Sequence, residues 1–183
     1  GLGWAWVAPV TKGATVNGAL IAESKTKPIQ HNKGGIVKQL HVREGQRVEK
    51  DQLLVTLEDS DIRETMRGIQ GQVESARSEL VLVRREHAII ADLVRRQLTP
   101  RPKLVDLDRQ ITQLERDIFT GSSRLSLLQA ELERTAIRAP VGGRLLTLAV
   151  TGVGAVVAPG GTVAEIVPLR DRLVIEGKLA AND

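Results

Sequence analysis

Gly34-Gly35-Ile36-Val37-Lys38-Gln39-Leu40-His41-Val42-Arg43-Glu44-Gly45-Gln46-Arg47-Val48-Glu49-Lys50-Asp51-Gln52-Leu53-Leu54-Val55 is the stretch that decides the fold. It reads as two short strands, residues 36–42 and 53–57, on either side of a turn. Leu40 and Val42, then Leu53, Val55 and Leu57, alternate as half-buried strands do. Gly45 stands where the chain reverses, a place that favours a residue free to take positive φ. The stretch then recurs. Gly142-Gly143-Arg144-Leu145-Leu146-Thr147-Leu148-Ala149-Val150 places Gly143 on Gly35, Leu148 on Leu40 and Val150 on Val42. After one inserted residue, Gly154 falls on Gly45, Val157 on Val48, Val163 on Leu54 and Ile166 on Leu57. An internal repeat outweighs single-residue signals when a fold is read.

Between the two copies the period changes. Met66, Ile69, Val73, Ala76, Leu80, Val83, His87, Ile90 and Val94 are spaced alternately three and four apart, a heptad seam. Ser60 or Asp61 is the expected N-cap, supported by Glu64. The helix is expected to stop near Gln97, because Leu98-Thr99-Pro100-Arg101-Pro102 carries two prolines. A second seam follows: Leu104, Leu107, Ile111, Leu114, Ile118, Leu125, Leu128 and Leu132, with Gly121 on the missing position. Each arm of about 32 residues would reach roughly 48 Å. Equal arms joined by a short proline turn predict an antiparallel coiled-coil hairpin. Gly121-Ser122-Ser123 is poor helix interior. It reads as a natural break, a join, or a place where residues are left out. Neither half-motif is large enough to bury its own apolar face. Packed together they form a flattened sandwich of short strands, with the hairpin inserted at the tip of one half. Residues 11–30 read as one or two further strands with a turn, and residues 173–179 as another strand.

The composition narrows the chemistry. Of 183 residues, 26% are charged and 42% hydrophobic, but there are only one Phe, two Trp and no Tyr. So few aromatics suit thin layers and long helices rather than a thick core. The net charge of +4 comes without a dense basic run or interleaved aromatics, which argues against nucleic acid. The absence of cysteine excludes disulfides, thiolate metal sites, a cysteine nucleophile and a lipidated cysteine in this chain. His31, His41 and His87 are too scattered for a metal site, and His87 on the seam reads as a polar interruption that tunes register. Asp59 and Asp61 look like helix-start chemistry rather than an acid–base pair. No nucleophilic triad or phosphate-binding glycine loop is present, so the chain reads as non-enzymatic, without metal or cofactor.

The phrases Trp4 to Pro9, Ile29-Gln30-His31-Asn32-Lys33-Gly34-Gly35-Ile36-Val37, Val42-Arg43-Glu44-Gly45-Gln46-Arg47-Val48, Arg134-Thr135-Ala136-Ile137-Arg138-Ala139-Pro140-Val141-Gly142-Gly143 and Gly154-Ala155-Val156-Val157-Ala158-Pro159-Gly160 carry a resemblance. The half-motifs look like lipoyl and biotinyl domains. The whole resembles the membrane fusion proteins, or periplasmic adaptors, of bacterial type I secretion, the HlyD-like family. The resemblance implies an α+β fold: a lipoyl-like β-sandwich formed by two half-motifs, an inserted antiparallel α-helical coiled-coil hairpin, and part of a β-barrel domain. It divides the chain into residues 1–10 (the end of an inner-membrane anchor), 11–32 and 169–183 (partial barrel), 33–60 and 139–168 (lipoyl-like halves) and 61–138 (hairpin). It further implies a periplasmic protein anchored by a helix preceding residue 1. The implied partners are an inner-membrane ABC transporter, a TolC-like outer-membrane channel, an exported protein substrate and further copies in a ring of six. Relatives carry a longer helical region, which points to a deletion near residues 65–66 or 119–122.

Two other functions are weighed. A multidrug efflux adaptor often has a lipidated N-terminal cysteine, which this chain lacks. An acyl carrier needs a lysine at the exposed hairpin tip, where Asp59-Ser60-Asp61-Ile62 stands instead; residues 141–168 contain none either. The related adaptors often carry an Arg-Leu-Ser pattern at the helical tip that docks on the channel. Here Leu93 and Thr99 stand near the Leu and Ser places, while Ala88 falls near the Arg place. Arg95, Arg96 and Arg101 are the replacement cations, and these five residues form the expected docking site.

Overall fold

The computed structural model describes residues 26–169. They divide into two units: residues 26–58 with 135–169, and residues 59–134. The strands of the first unit are β1 (Lys27–His31), β2 (Gly35–Leu40), β3 (Arg47–Val48), β4 (Leu53–Leu57), β5 (Ala136–Arg138), β6 (Gly143–Leu148), β7 (Val156–Val157) and β8 (Gly161–Pro168). They form two antiparallel sheets, ordered β1-β8-β6-β3 and β5-β4-β2-β7. Each sheet takes two strands from each half of the repeat, so neither half can close its hydrogen bonds alone.

The repeat is visible bond by bond. The Gly45 N–H donates to the Leu145 carbonyl and the Gly154 N–H to the Val37 carbonyl, both at 2.8 Å. The return bonds, Leu145 N–H to Gln46 and Val37 N–H to Ala155, are 2.9 and 2.8 Å. His41 donates to Leu54 as Ala149 donates to Val163. Gly45 and Gly154 both have positive φ, 81° and 88°, as the turn at Gly45 requires. Asp51, at φ 67°, occupies the place that Gly160, at φ 74°, fills in the second half. An Asp51→Gly substitution is therefore expected to stabilise the sandwich by about 1 kcal/mol, by removing the left-handed penalty of a residue with a Cβ. Chemical denaturation of the two proteins checks it, and an unchanged or lower midpoint would count against it.

The core is built from both halves: Val37, Leu54, Val55 and Leu57 face Leu145, Val163, Ala164 and Ile166, all buried. Strict alternation fails in β4, where Leu54 and Val55 are both buried and Leu53 is half-exposed. The reason is a bulge: Leu53 pairs with Arg138 and Val55 with the next residue, Ile137, leaving Leu54 as the extra residue.

Two boundaries differ from the sequence reading. Residues 27–31, grouped there with a barrel, are β1 and pair with β8. Residues 136–138, grouped with the hairpin, are β5 and pair with β4, and the Leu57 N–H donates to Thr135 at 2.8 Å. In both cases the strand completes a sheet edge that the repeat alone did not reveal. The expected anchor, the rest of the barrel and the strand at 173–179 lie outside the described residues.

The second unit is an antiparallel helical hairpin, α1 (Ser60–Arg95) and α2 (Pro102–Arg134). Its arms span roughly 54 and 50 Å. The N-cap of α1 is Asp59 rather than Ser60 or Asp61, and its carboxylate accepts from Arg63 Nε at 2.8 Å instead of capping an amide. All six α1 seam residues from Met66 to Val83 are buried, and Ala76, Leu80 and Val83 of them cluster with Leu107 and Leu114 of α2. Both helices run unbroken through residues 65–66 and 119–122. Gly121 is a point of close approach: a Cβ there would stand 2.5 Å from Val73 Cγ2. Alanine would gain about 1 kcal/mol of helix propensity, but valine is stiff at χ1 and cannot swing away. Gly121→Ala is thus expected to lower hairpin stability by about 1 kcal/mol net, with a coupling of similar size to Val73→Ala in a double-mutant cycle. Additive effects would remove the contact from the explanation.

Candidate functional site at the hairpin turn

The turn is set by backbone chemistry at both helix ends. Leu98 N–H donates to the Leu93 carbonyl and Gln97 N–H to Val94, each at 2.9 Å. Gln97 has φ 62°. This is a Schellman closure with glutamine where glycine is usual. Pro102 then opens α2 at the first helical position, where its missing N–H costs nothing. The Arg101 carbonyl accepts from Leu104 and Val105 at 3.0 and 3.2 Å, so Arg101 is the residue from which α2 starts.

The five residues expected to dock a channel are brought to one end of this unit but play different parts. Arg95 and Arg96 are exposed, and both pair with Asp92, Arg96 Nε lying 3.3 Å from Asp92 Oδ2. Leu93 and Thr99 are half-buried. Arg101 is exposed and forms no ion pair with another described residue. Sequence reasoning passed over Asp92, and it placed Leu98 in the turn segment without naming it among the five docking residues. The first was readable as a carboxylate three and four residues before two arginines on one helix. The second is 67% exposed and is the apolar summit of the turn.

Below the turn the arms are tied together. His87 Nε2 meets Asp108 Oδ1 at 2.7 Å, and Lys103 Nζ meets Glu86 Oε1 at 3.4 Å. Ile90 packs on the cluster of Leu107 and Leu114. The other histidines serve the sandwich: His31 Nδ1 accepts from Gly34 N–H at 2.8 Å, and His41 contacts Thr56 Oγ1 at 2.8 Å. The hairpin forms the β4–β5 connection. Among the described residues no helix is long and apolar enough to cross a membrane.

The family model for the RND MFP barrel-sandwich hybrid domain matches residues 25–169. The chain belongs to the membrane fusion proteins. Its relatives among this family include the proteases secretion protein PrtE of Dickeya chrysanthemi, 37% identical over 89 residues, covering 49% of this chain and 18% of PrtE. The multidrug resistance protein MdtA of Escherichia coli O7:K1 is 27% identical over 147 residues, covering 80% of this chain and 35% of MdtA. The chain thus spans about a fifth to a third of the length of these two membrane fusion proteins. The crystal structure of MacA from Actinobacillus actinomycetemcomitans matches the fold at a TM-score of 0.65 and 17% identity, covering 78% of this chain and 49% of that one.

Proposed function

We propose that this chain is the sandwich-and-hairpin part of a periplasmic adaptor for type I protein secretion, held at the inner membrane. It links an ABC exporter there to a TolC-like outer-membrane channel, in a ring of six copies. The observation that carries the secretion reading is the 37% identity to a protein named for protease secretion, higher than the 27% to a multidrug resistance protein. The multidrug match covers more of the chain, and efflux is therefore the second reading. The deciding experiment deletes the gene for the full-length protein and measures both extracellular protein and tolerance to toxic small molecules. Loss of a secreted protein with unchanged tolerance supports secretion. Lost tolerance with intact secretion transfers the chain to efflux.

The docking surface in this reading is the turn, with Leu98 added to Leu93, Arg95, Arg96, Thr99 and Arg101. Asp92 already neutralises part of the Arg95–Arg96 charge, which makes Arg101 the cation best placed to meet a carboxylate rim. Arg101→Glu is expected to change folding stability by less than about 0.5 kcal/mol, as exposed charges do. Export should fall about tenfold, and most at low ionic strength. Normal export at normal adaptor levels would reduce the segment to a plain turn.

A further inference from the structure

The hairpin is not built alike along its length. Toward the turn, Ala76, Leu80 and Val83 cluster with Leu107 and Leu114, and Ile90, Ile111 and Ile118 pack on that cluster. The ties from Arg84 to Glu115, from His87 to Asp108 and from Lys103 to Glu86 lie along the same span. On the base side of Ala76 and Ile118 the residues change character. Here α1 carries Gly68 and Gly71, both exposed. A Cβ added at either would meet no described atom within 4 Å beyond its own stretch of helix. Packing within the hairpin therefore gives no reason for glycine at either place, and each weakens the helix relative to alanine. Opposite them α2 carries Gly121-Ser122-Ser123. Gly121 faces Val73 and Ile69, the seam residues on either side of Gly71. Ser126 Oγ donates to the Ser122 carbonyl at 3.2 Å, a back-bond of the kind that bends helices. Leu125, Leu128 and Leu132, which carry the seam on to the base, are only half-buried.

We propose that this level, residues 68–73 of α1 with 121–126 of α2, is a hinge inside the hairpin. Glycine softens both helices at the same height, while the cluster nearer the turn holds the arms together as one stiff lever. From Gly71 to Arg95 that lever is about 36 Å long. A bend of about 20°, such as Gly/Ser stretches allow, would move the turn by about 12 Å, roughly the diameter of a helix. The turn then follows a partner that shifts its position without breaking the contacts between Ala76 and Leu114. The hinge itself stands on the hairpin alone; only the use of its motion rests on the docking reading above.

Amide hydrogen exchange of the full-length protein tests the hinge directly. Amides of residues 68–73 and 121–126 should exchange about tenfold faster than those on either side of them. Protection that is uniform, or that falls steadily toward the base, would overturn the proposal. The Gly68→Ala/Gly71→Ala variant tests the use of the motion. Alanine fits both places and favours the helix, so exchange there should slow about fivefold per substitution. Transport, read as secreted protein or as tolerance, whichever the gene deletion abolishes, should nevertheless fall about fivefold. A role in stability alone predicts the opposite, transport unchanged or improved. Gln70→Ala, between the two glycines on the exposed side of α1, should leave exchange and transport as they are. Slower exchange with full transport would mean that bending has no function. Lower transport with exchange unchanged would make the two glycines a contact surface and remove the hinge. Normal transport by Arg101→Glu would sink the docking reading and leave the exchange result untouched.

Discussion

Gly143→Ala is expected to cost the sandwich about 3–5 kcal/mol, enough to unfold a marginal domain. Gly143 lies in β6 between Val48 of one neighbouring strand and Pro168 of the other. A methyl group there would overlap the Val167 carbonyl oxygen and stand 2.7 Å from Ile166 Cγ2. Ile166 is wholly buried, and a close-packed interior gives it nowhere to retreat. The control is Gly154→Ala. That glycine has φ 88°, but a methyl group added to it would meet no atom within 4 Å, so only the conformational penalty of about 1–2 kcal/mol applies. Urea denaturation followed by circular dichroism compares the two. Equal losses would mean that steric overlap is not what excludes a side chain at Gly143.

Leu107→Asp should be the most damaging single change in the hairpin. Leu107 is 1% exposed and packs with Leu80, Val83 and Leu114 where the arms meet. A carboxylate there has no partner, and the expected loss is about 4 kcal/mol or more. Ile90→Asp, at a partly buried place nearer the turn, should cost about half as much because water can reach the charge. Amide hydrogen exchange locates the effect: protection should fall along α1 and α2, while the β-strand amides keep theirs. Equal loss of protection in both units would mean that they unfold together.

Much of the fold was legible because it is periodic. The repeat of Gly34–Leu57 in residues 142–166 and the three–four spacing of two apolar seams are properties of the chain read locally. Positive φ at Gly45 and the burial of the α1 seam from Met66 to Val83 follow from them. The hairpin turn was legible as a place, since two prolines must end a helix, but not as an arrangement. That Asp92 holds Arg95 and Arg96 while Arg101 forms no ion pair with another described residue depends on side-chain reach after the turn has closed.

By itself, the sequence determined that two half-motifs share a domain, that a hairpin interrupts them, and where the hairpin turns. Periodicity and glycine placement are enough for that, because both report which residues must leave water and where the backbone must reverse. Only the tertiary structure decided which strands cross between the halves. It also enrolled Lys27–His31 and Ala136–Arg138 as sheet edges, buried Leu54 through a bulge, and set Gly121 against Val73. These outcomes depend on partners that can lie well over a hundred residues away, as Ile166 does from Lys27, and a strand's own pattern states which face is apolar without stating which edge will meet it.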